Sequence, residues 1–246
     1  MQRRSTGWQR GTTMSKTLYL ECYSGISGDM TVAALLDLGA DREVLKESLK
    51  SLPVDGFRTE ITRVKKSGLD ACDFSVILEQ DNHDHDMEYL HGSEKSYTGH
   101  HEHSHEVNHE HHHGHTHSHE HPHEHRGMKE ITEIIQKSEM TVRAKKMAMR
   151  VFGILAQAES KAHGVPVEEV HFHEVGAVDS IVDIAAIAIC MDNLDISNVI
   201  VPVLYEGTGF IRCQHGQIPV PVPAVTHIAE THKFKIKNSQ TYRENW

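Results

Sequence analysis

The chain has 246 residues, enough for one large domain or two small ones, with 38% apolar and 24% charged side chains. Its formal charge of −10 is concentrated: the window 81–125 holds ten acidic residues, one lysine and seventeen of the 23 histidines, and by itself carries −9. The remainder is close to neutral, so no basic surface points to nucleic acid, and no run approaches the roughly 18 apolar residues of a membrane span.

Met1–Thr13 carries Arg3, Arg4 and Arg10 without an apolar stretch, so it reads as an unstructured extension rather than a secretory signal, with Met14 an alternative start. Thr17–Cys22 alternates and predicts a short strand. The glycine-bearing stretch Tyr23–Met30 follows, then a helix through Leu38 stopped by Gly39, and a second helix over Arg42–Ser51 ahead of Pro53. Phe57–Lys66 and Ala71–Gln80 read as paired strands turning at Ser67-Gly68. Beyond the histidine-rich window, Lys129–Lys137 and Thr141–His163 show helical spacing. In the second of these Ala148, Val151, Phe152 and Leu155 share one face, and Gly164 and Pro166 end the helix. Val170–Glu174 is extended, Val178–Leu194 is an apolar and therefore buried helix, and Val199–Leu204 is a strand. Pro219, Pro221 and Pro223 impose an extended path before a last short helix. Strands alternating with helices predict an α/β domain of layered mixed sheet and helices. Its front half is 14–80 and its back half 127–234, interrupted by a disordered insert at 81–126 and followed by a polar tail at 235–246.

The insert is nearly free of aliphatic residues, so it cannot bury enough surface to offset the entropy of ordering. Neutral imidazole is a borderline-soft ligand for Ni, Zn, Cu and Co, and the affinity order of these ions does not single out nickel. The alternation His111, His113, His115, His117, His119 lets several rings converge on one ion without fixed geometry. Loose, repeated sites of this kind suit capture better than catalysis, which needs one preorganised arrangement.

Two clusters in the folded parts could carry chemistry. In Ser24-Gly25-Ile26-Ser27-Gly28-Asp29-Met30, between strand and helix, Gly25 and Gly28 allow close backbone approach. With Ser24 and Ser27 and the N–H groups of the helix start, the turn could seat a phosphate. Asp29 could equally cap the helix or hold a cation, and the stretch is neither a Walker loop nor a nucleophile elbow. In the second cluster, extended backbone puts His171 and His173 on one side with Phe172 turned inward, while Asp179 and Asp183 share a helix face at i, i+4. Two imidazoles and two carboxylates could complete a divalent-metal site with Glu174 as ligand or base; the plainer reading makes Asp179 an N-cap and Asp183 an exposed carboxylate. His215, beside Cys213 at a turn, offers a further imidazole. Four cysteines without a C-x-x-C pair fit reduced thiols in the cytoplasm.

SGISGDM at Ser24–Met30, HGVPVEEVHFHEVGAVDSIVDI at His163–Ile184 and HGQIPVPVPA at His215–Ala224 resemble the LarC family of nickel insertion proteins, as does the position of the histidine-rich stretch. The resemblance implies a CTP-dependent nickel insertase, a chelatase-type lyase. It would metallate pyridinium-3,5-bisthiocarboxylic acid mononucleotide to the nickel-pincer nucleotide of lactate racemase, consuming CTP with Mn²⁺ or Mg²⁺. In that light His171, His173, Asp179, Asp183 and His215 would receive nickel, Asp29 and Glu174 would be catalytic, and Ser24, Gly25, Ser27 and Gly28 would hold the mononucleotide. Family members continue through a Thr-Pro-Thr-Gly stretch into a C-terminal domain that resembles the site of CTP binding. Here the chain turns polar after Phe234, so it reads as the N-terminal half, partnered by a separate C-terminal half. Two alternatives remain on the residues alone: a non-catalytic nickel reservoir or metallochaperone, and a metal-dependent phosphohydrolase using His171, His173, Asp179 and Asp183.

Overall fold

The computed structural model describes residues 16–23, 25–79, 126–172, 177–213 and 216–238. The expected extension at the start, the histidine-rich insert, Ser24, His173, Glu174 and His215 lie outside the described residues. So do the side chains of Arg212 and Cys213.

The fold is α/β. Strand β1 (Lys16–Tyr19) runs parallel to β6 (Ile196–Ile200), and β7 (Leu204–Glu206) runs parallel to β10 (Ile236–Asn238). A parallel bridge between Cys22 and Leu204 continues the β1–β6 pairing past Pro202, so β6 and β7 run in line beside the β1 segment, with β10 on the far side of β7. Three antiparallel pairs complete the strands: β2 (Phe57–Lys66) with β3 (Leu69–Leu78), β4 (Arg126–Gly127) with β5 (His171–Phe172), and β8 (Gly209–Cys213) with β9 (Gly216–Val220). The expected strand Val199–Leu204 is instead two strands. Pro202 falls between them, and a residue without an N–H cannot continue a ladder. The hairpin pairs right up to its turn, Lys66 opposite Leu69, because Ser67 and Gly68 both take positive φ (51° and 81°), the two-residue turn that matches strand twist. Ile236–Asn238, expected to belong to the polar tail, is ordered as β10 through its ladder to β7.

Six helices are described: α1 (Gly28–Asp37), α2 (Arg42–Lys50), α3 (Met128–Lys137), α4 (Val142–His163), α5 (Val178–Asn193) and α6 (Pro223–His232). Helix α5 is the centre of the core, with Ile181, Val182, Ala185, Ala186 and Cys190 nearly or wholly inaccessible. Helices α1, α2 and α4 pack against it. Side-chain caps start two of the helices: Asp41 accepts from Glu43 N and Val44 N at 2.9 and 3.2 Å, and Thr141 from Ala144 N at 3.0 Å. On α4 the buried line is the i, i+4 row Ala144–Ala148–Phe152–Ala156. Val151, expected on that face, falls to its side and is 41% exposed. The β2–β3 hairpin is tied to the end of α1, where Asp37 accepts from Cys72 N at 2.9 Å and pairs with Arg63. Those bonds hold the Asp37 carboxyl below the usual range, the Cys72 amide contributing most. Among the described residues no helix is long and apolar enough to cross a membrane.

Candidate functional site

The first turn of α1 meets α5 through a glycine. Gly28 opens the helix after Ser27, and a Cβ at this position would lie 2.3 Å from Asp183 Oδ2 and 2.8 Å from Asp183 Cβ. Only a residue without a side chain lets the two helices approach this closely. The close approach that sequence spacing suggested for a phosphate is thus taken at Gly28 by a carboxylate of the protein itself. Ser27 is also engaged: its hydroxyl donates to Asp29 Oδ1, which accepts in addition from Met30 N at 2.8 Å. Gly25, with φ of 87° and nothing within 4 Å of its missing Cβ, faces open space.

Asp183 is neither the exposed carboxylate of the plainer reading nor a fully satisfied one. Its Oδ1 is buried without a hydrogen-bond partner, although the Asp29 backbone N–H bonds its carboxylate. Burial pushes its pKa up to about 7, helped by the negative charges of Asp29 and Asp179 and opposed by that N–H. Asp29 and Asp179 are themselves exposed. Asp179 lies in the first turn of α5, where its carboxylate accepts from Ser180 N at 2.8 Å; the N-cap position belongs to Ala177. An acid held half-protonated at neutral pH between two further carboxylates gains from any cation that replaces its proton.

His171 is exposed on β5 and Phe172 is 2% exposed, the alternation expected of an extended segment. Phe172 packs edge-to-face on Phe152 with ring centroids 6.3 Å apart, which anchors β5 to α4. Beside His171 stands Glu130, a residue that sequence reasoning passed over. Its Oε2 accepts from Gly127 N at 2.9 Å, and its carboxyl is held below the usual range by its own amide, then by Gly127 N–H and, less, by Lys129 and His171. The available signal was its place three residues after Gly127, the position whose side chain reaches back to a helix start. Among the described residues no three His, Cys, Asp or Glu side chains come together as a metal site. His171 with Glu130, and Asp183 with the negative charges of Asp29 and Asp179 near it, are therefore not metal centres by themselves; His173, Glu174, His215 and His111 to His119 lie outside the described residues.

Cys22, Cys72 and Cys190 are free, buried thiols. Burial pushes Cys72 up and Cys190 up to about 12, so both stay protonated and act as small apolar side chains. A second orphaned atom, His227 Nδ1, sits between α4 and α6. The adjoining cavity of about 40 Å³ is lined by Gln157, Lys161, Thr231 and His232 among others.

A family model described as nickel insertion protein matches residues 18–244. The chain belongs to the nickel insertion protein family. It is 49% identical over 232 residues to the pyridinium-3,5-bisthiocarboxylic acid mononucleotide nickel insertion protein of Alkaliphilus metalliredigens, covering 94% of this chain and 49% of the relative. The proteins of the same name from Clostridium acetobutylicum and Geobacillus kaustophilus are 45% and 41% identical over 215 residues each. Those matches cover 87% of this chain and 49% and 45% of the relatives. The chain thus spans about half the length of the curated relatives it matches. No solved structure matches it. All three motifs singled out from the sequence fall within the stretch matched by the nickel insertion model. Within this member of the nickel insertion family, the α1–α5 carboxylates and the His171–Glu130 pair are the described groups with donor chemistry for a divalent ion. Carboxylate oxygens are hard donors of the kind Mg²⁺ or Mn²⁺ prefers, and imidazole donors shift a site toward nickel; the three carboxylates do not converge as a metal site by themselves.

Proposed function

We propose that this chain is the nickel-binding, N-terminal part of a CTP-dependent nickel insertase. The whole insertase metallates pyridinium-3,5-bisthiocarboxylic acid mononucleotide to the nickel-pincer nucleotide of lactate racemase. The observation that carries this reading is the 49% identity, along 94% of the chain, to a relative named for that insertion. Nickel is cargo in this scheme. The histidine tract, with His111, His113, His115, His117 and His119, collects the ion. His171, His173, Asp179, Asp183 and His215 receive it, and Ser24, Gly25 and Ser27 face the mononucleotide, while Gly28 lets α1 close on Asp183. Asp29 and Glu174 are the catalytic carboxylates, Glu174 as ligand or base. Asp183, with its pKa near 7, surrenders a proton as the ion arrives, so loading is coupled to proton release. CTP and its Mn²⁺ or Mg²⁺ are handled by the partner half, and the work is done in the cytoplasm.

The test is a maturation assay on the purified chain with the bisthiocarboxylate nucleotide, CTP, Mn²⁺ and Ni²⁺. It is run with and without the remaining half of the A. metalliredigens relative, and the nickel product is read by mass. Product only with both halves is the expected result; no product under any condition overturns the reading. A reservoir role without catalysis is favoured by one observation, the seventeen histidines gathered in 81–125. Deleting 83–125 separates the two readings. An insertase keeps its turnover at excess nickel, whereas a reservoir loses nearly all bound metal and with it all effect.

A further inference from the structure

The chain from Thr17 to Tyr23 alternates without interruption: Leu18, Leu20 and Cys22 turn toward the core, and Thr17, Tyr19, Glu21 and Tyr23 turn outward. The inward face of β1 and β6 belongs to the same apolar cluster as α5. The outward face carries apolar and aromatic side chains on the β1 segment and on β6 and β7 beside it. Ile200 on β6 is 48% exposed and lies in register with Tyr19 on β1, which is 55% exposed. Tyr23, 59% exposed, packs edge-to-face on Tyr205 of β7 with centroids 5.6 Å apart. Lys237 of β10 places its ammonium 5.9 Å from the Tyr205 ring centroid. Parallel strands are ordinarily covered on both faces. An open parallel face rich in tyrosine has the composition of the centre of a protein interface.

We propose that this outward face of β1, β6, β7 and β10 is the docking surface for the half of the nickel insertion polypeptide that has no counterpart in this chain. The occupant is argued from length and position. Relatives carry about as much chain again as the part matched here, and β10, the last described strand, lies at the edge of this face beside β7. The proposal rests on the reading that this chain works with a second half. It adds where that half binds.

Hydroxyl-radical footprinting tests it. Side-chain reactivity of Tyr19, Tyr23 and Ile200 is compared between the chain alone and the chain joined to the remaining half of the A. metalliredigens relative; the same comparison is made with the halves mixed as separate polypeptides. The expected result is at least a tenfold drop at these three residues in either format. Leu69, 74% exposed on the hairpin turn, should be unchanged. The double variant Tyr19→Glu, Ile200→Glu should return Tyr23 to its reactivity in the chain alone, with the circular dichroism of the chain unaltered. Full reactivity of Tyr19 and Tyr23 in both formats overturns the proposal. So does a chain that is already dimeric by sedimentation with these residues protected, which would make a second copy the occupant. Nickel insertion is scored separately on the same samples. A protected face without nickel product keeps the docking surface and overturns the insertase reading; product with an unprotected face does the reverse.

Discussion

The seam between α1 and α5 and the seam between α4 and α6 each bury one polar atom without a partner, Asp183 Oδ1 in the first and His227 Nδ1 in the second. What surrounds the two atoms differs. Asp183 is pressed against Gly28 with no room to spare and lies within electrostatic reach of Asp29 and Asp179. His227 borders a cavity of about 40 Å³, and the Lys161–Glu230 pair beside it closes at 3.2 Å. An imidazole nitrogen next to a small cavity that Gln157, Lys161 and Thr231 also line can be satisfied by a water molecule. A carboxylate packed against backbone, with like charges around it, is relieved only by a proton or a cation. The same local defect is thus ordinary at one seam and chemically loaded at the other, which makes the α1–α5 seam the place to look for function.

The contrast can be broken most directly by filling the first seam. Gly28→Ala should cost about 2–3 kcal/mol by overpacking, read as a fall in the urea midpoint. Adding Asp183→Ala should recover at least about 1 kcal/mol of that loss, since the two residues are in contact. Simple additivity would show that the glycine is required for some other reason. The next effect is electrostatic. Asp183 has a folded-state pKa of about 7 against an ordinary carboxylate value of 3.8, so between these values the folded chain holds a proton that the unfolded chain releases. Its destabilising contribution is therefore absent below about pH 4 and complete above about pH 7. Asp183→Asn should stabilise the protein by about 1–2 kcal/mol at pH 8, allowing for residual solvent screening of a partly buried group, and by almost nothing at pH 4. A gain of equal size at both pH values would remove charge as the cause.

The second seam should respond weakly. His227→Leu takes away the orphaned nitrogen and should change stability by less than about 1 kcal/mol, with thermal melts showing no pH dependence between 7.5 and 9. A loss of several kcal/mol would mean that the imidazole is doing structural work at this seam. The smallest effect belongs to Lys161→Ala. Its ion pair with Glu230 is exposed, and removing it should cost no more than about 0.5 kcal/mol, vanishing at high salt.

Much of the frame was legible in the sequence because it is written in local periodicity. The helices over 42–50, 128–137 and 142–163 and the 57–78 hairpin follow from apolar spacing and from caps such as Asp41, Thr141 and Gly164, which act within a few residues of themselves. The one strand read across Pro202 came out as two because the proline interrupts the ladder, a break visible in the sequence; that β10 pairs beside its second part was not, since β10 is distant along the chain. Val151 was placed on the wrong side of α4 because a wide apolar stripe does not say which of its edges the neighbouring helix will use.

The candidate site was legible only by residue type. Composition and motif marked Asp29, Asp179, Asp183 and His171 as chemical groups, and the match along residues 18–244 follows from sequence alone. That Gly28 holds Asp183 in place, that the carboxyl stays protonated up to about pH 7, and that Glu130 stands by His171 are decisions of tertiary structure. The physical reason is that burial and charge proximity depend on which surfaces meet, and Gly28 and Asp183 lie 155 positions apart. A chain dictates its own caps and periodicities locally; the free energy of a buried charge is set by whatever the fold brings beside it.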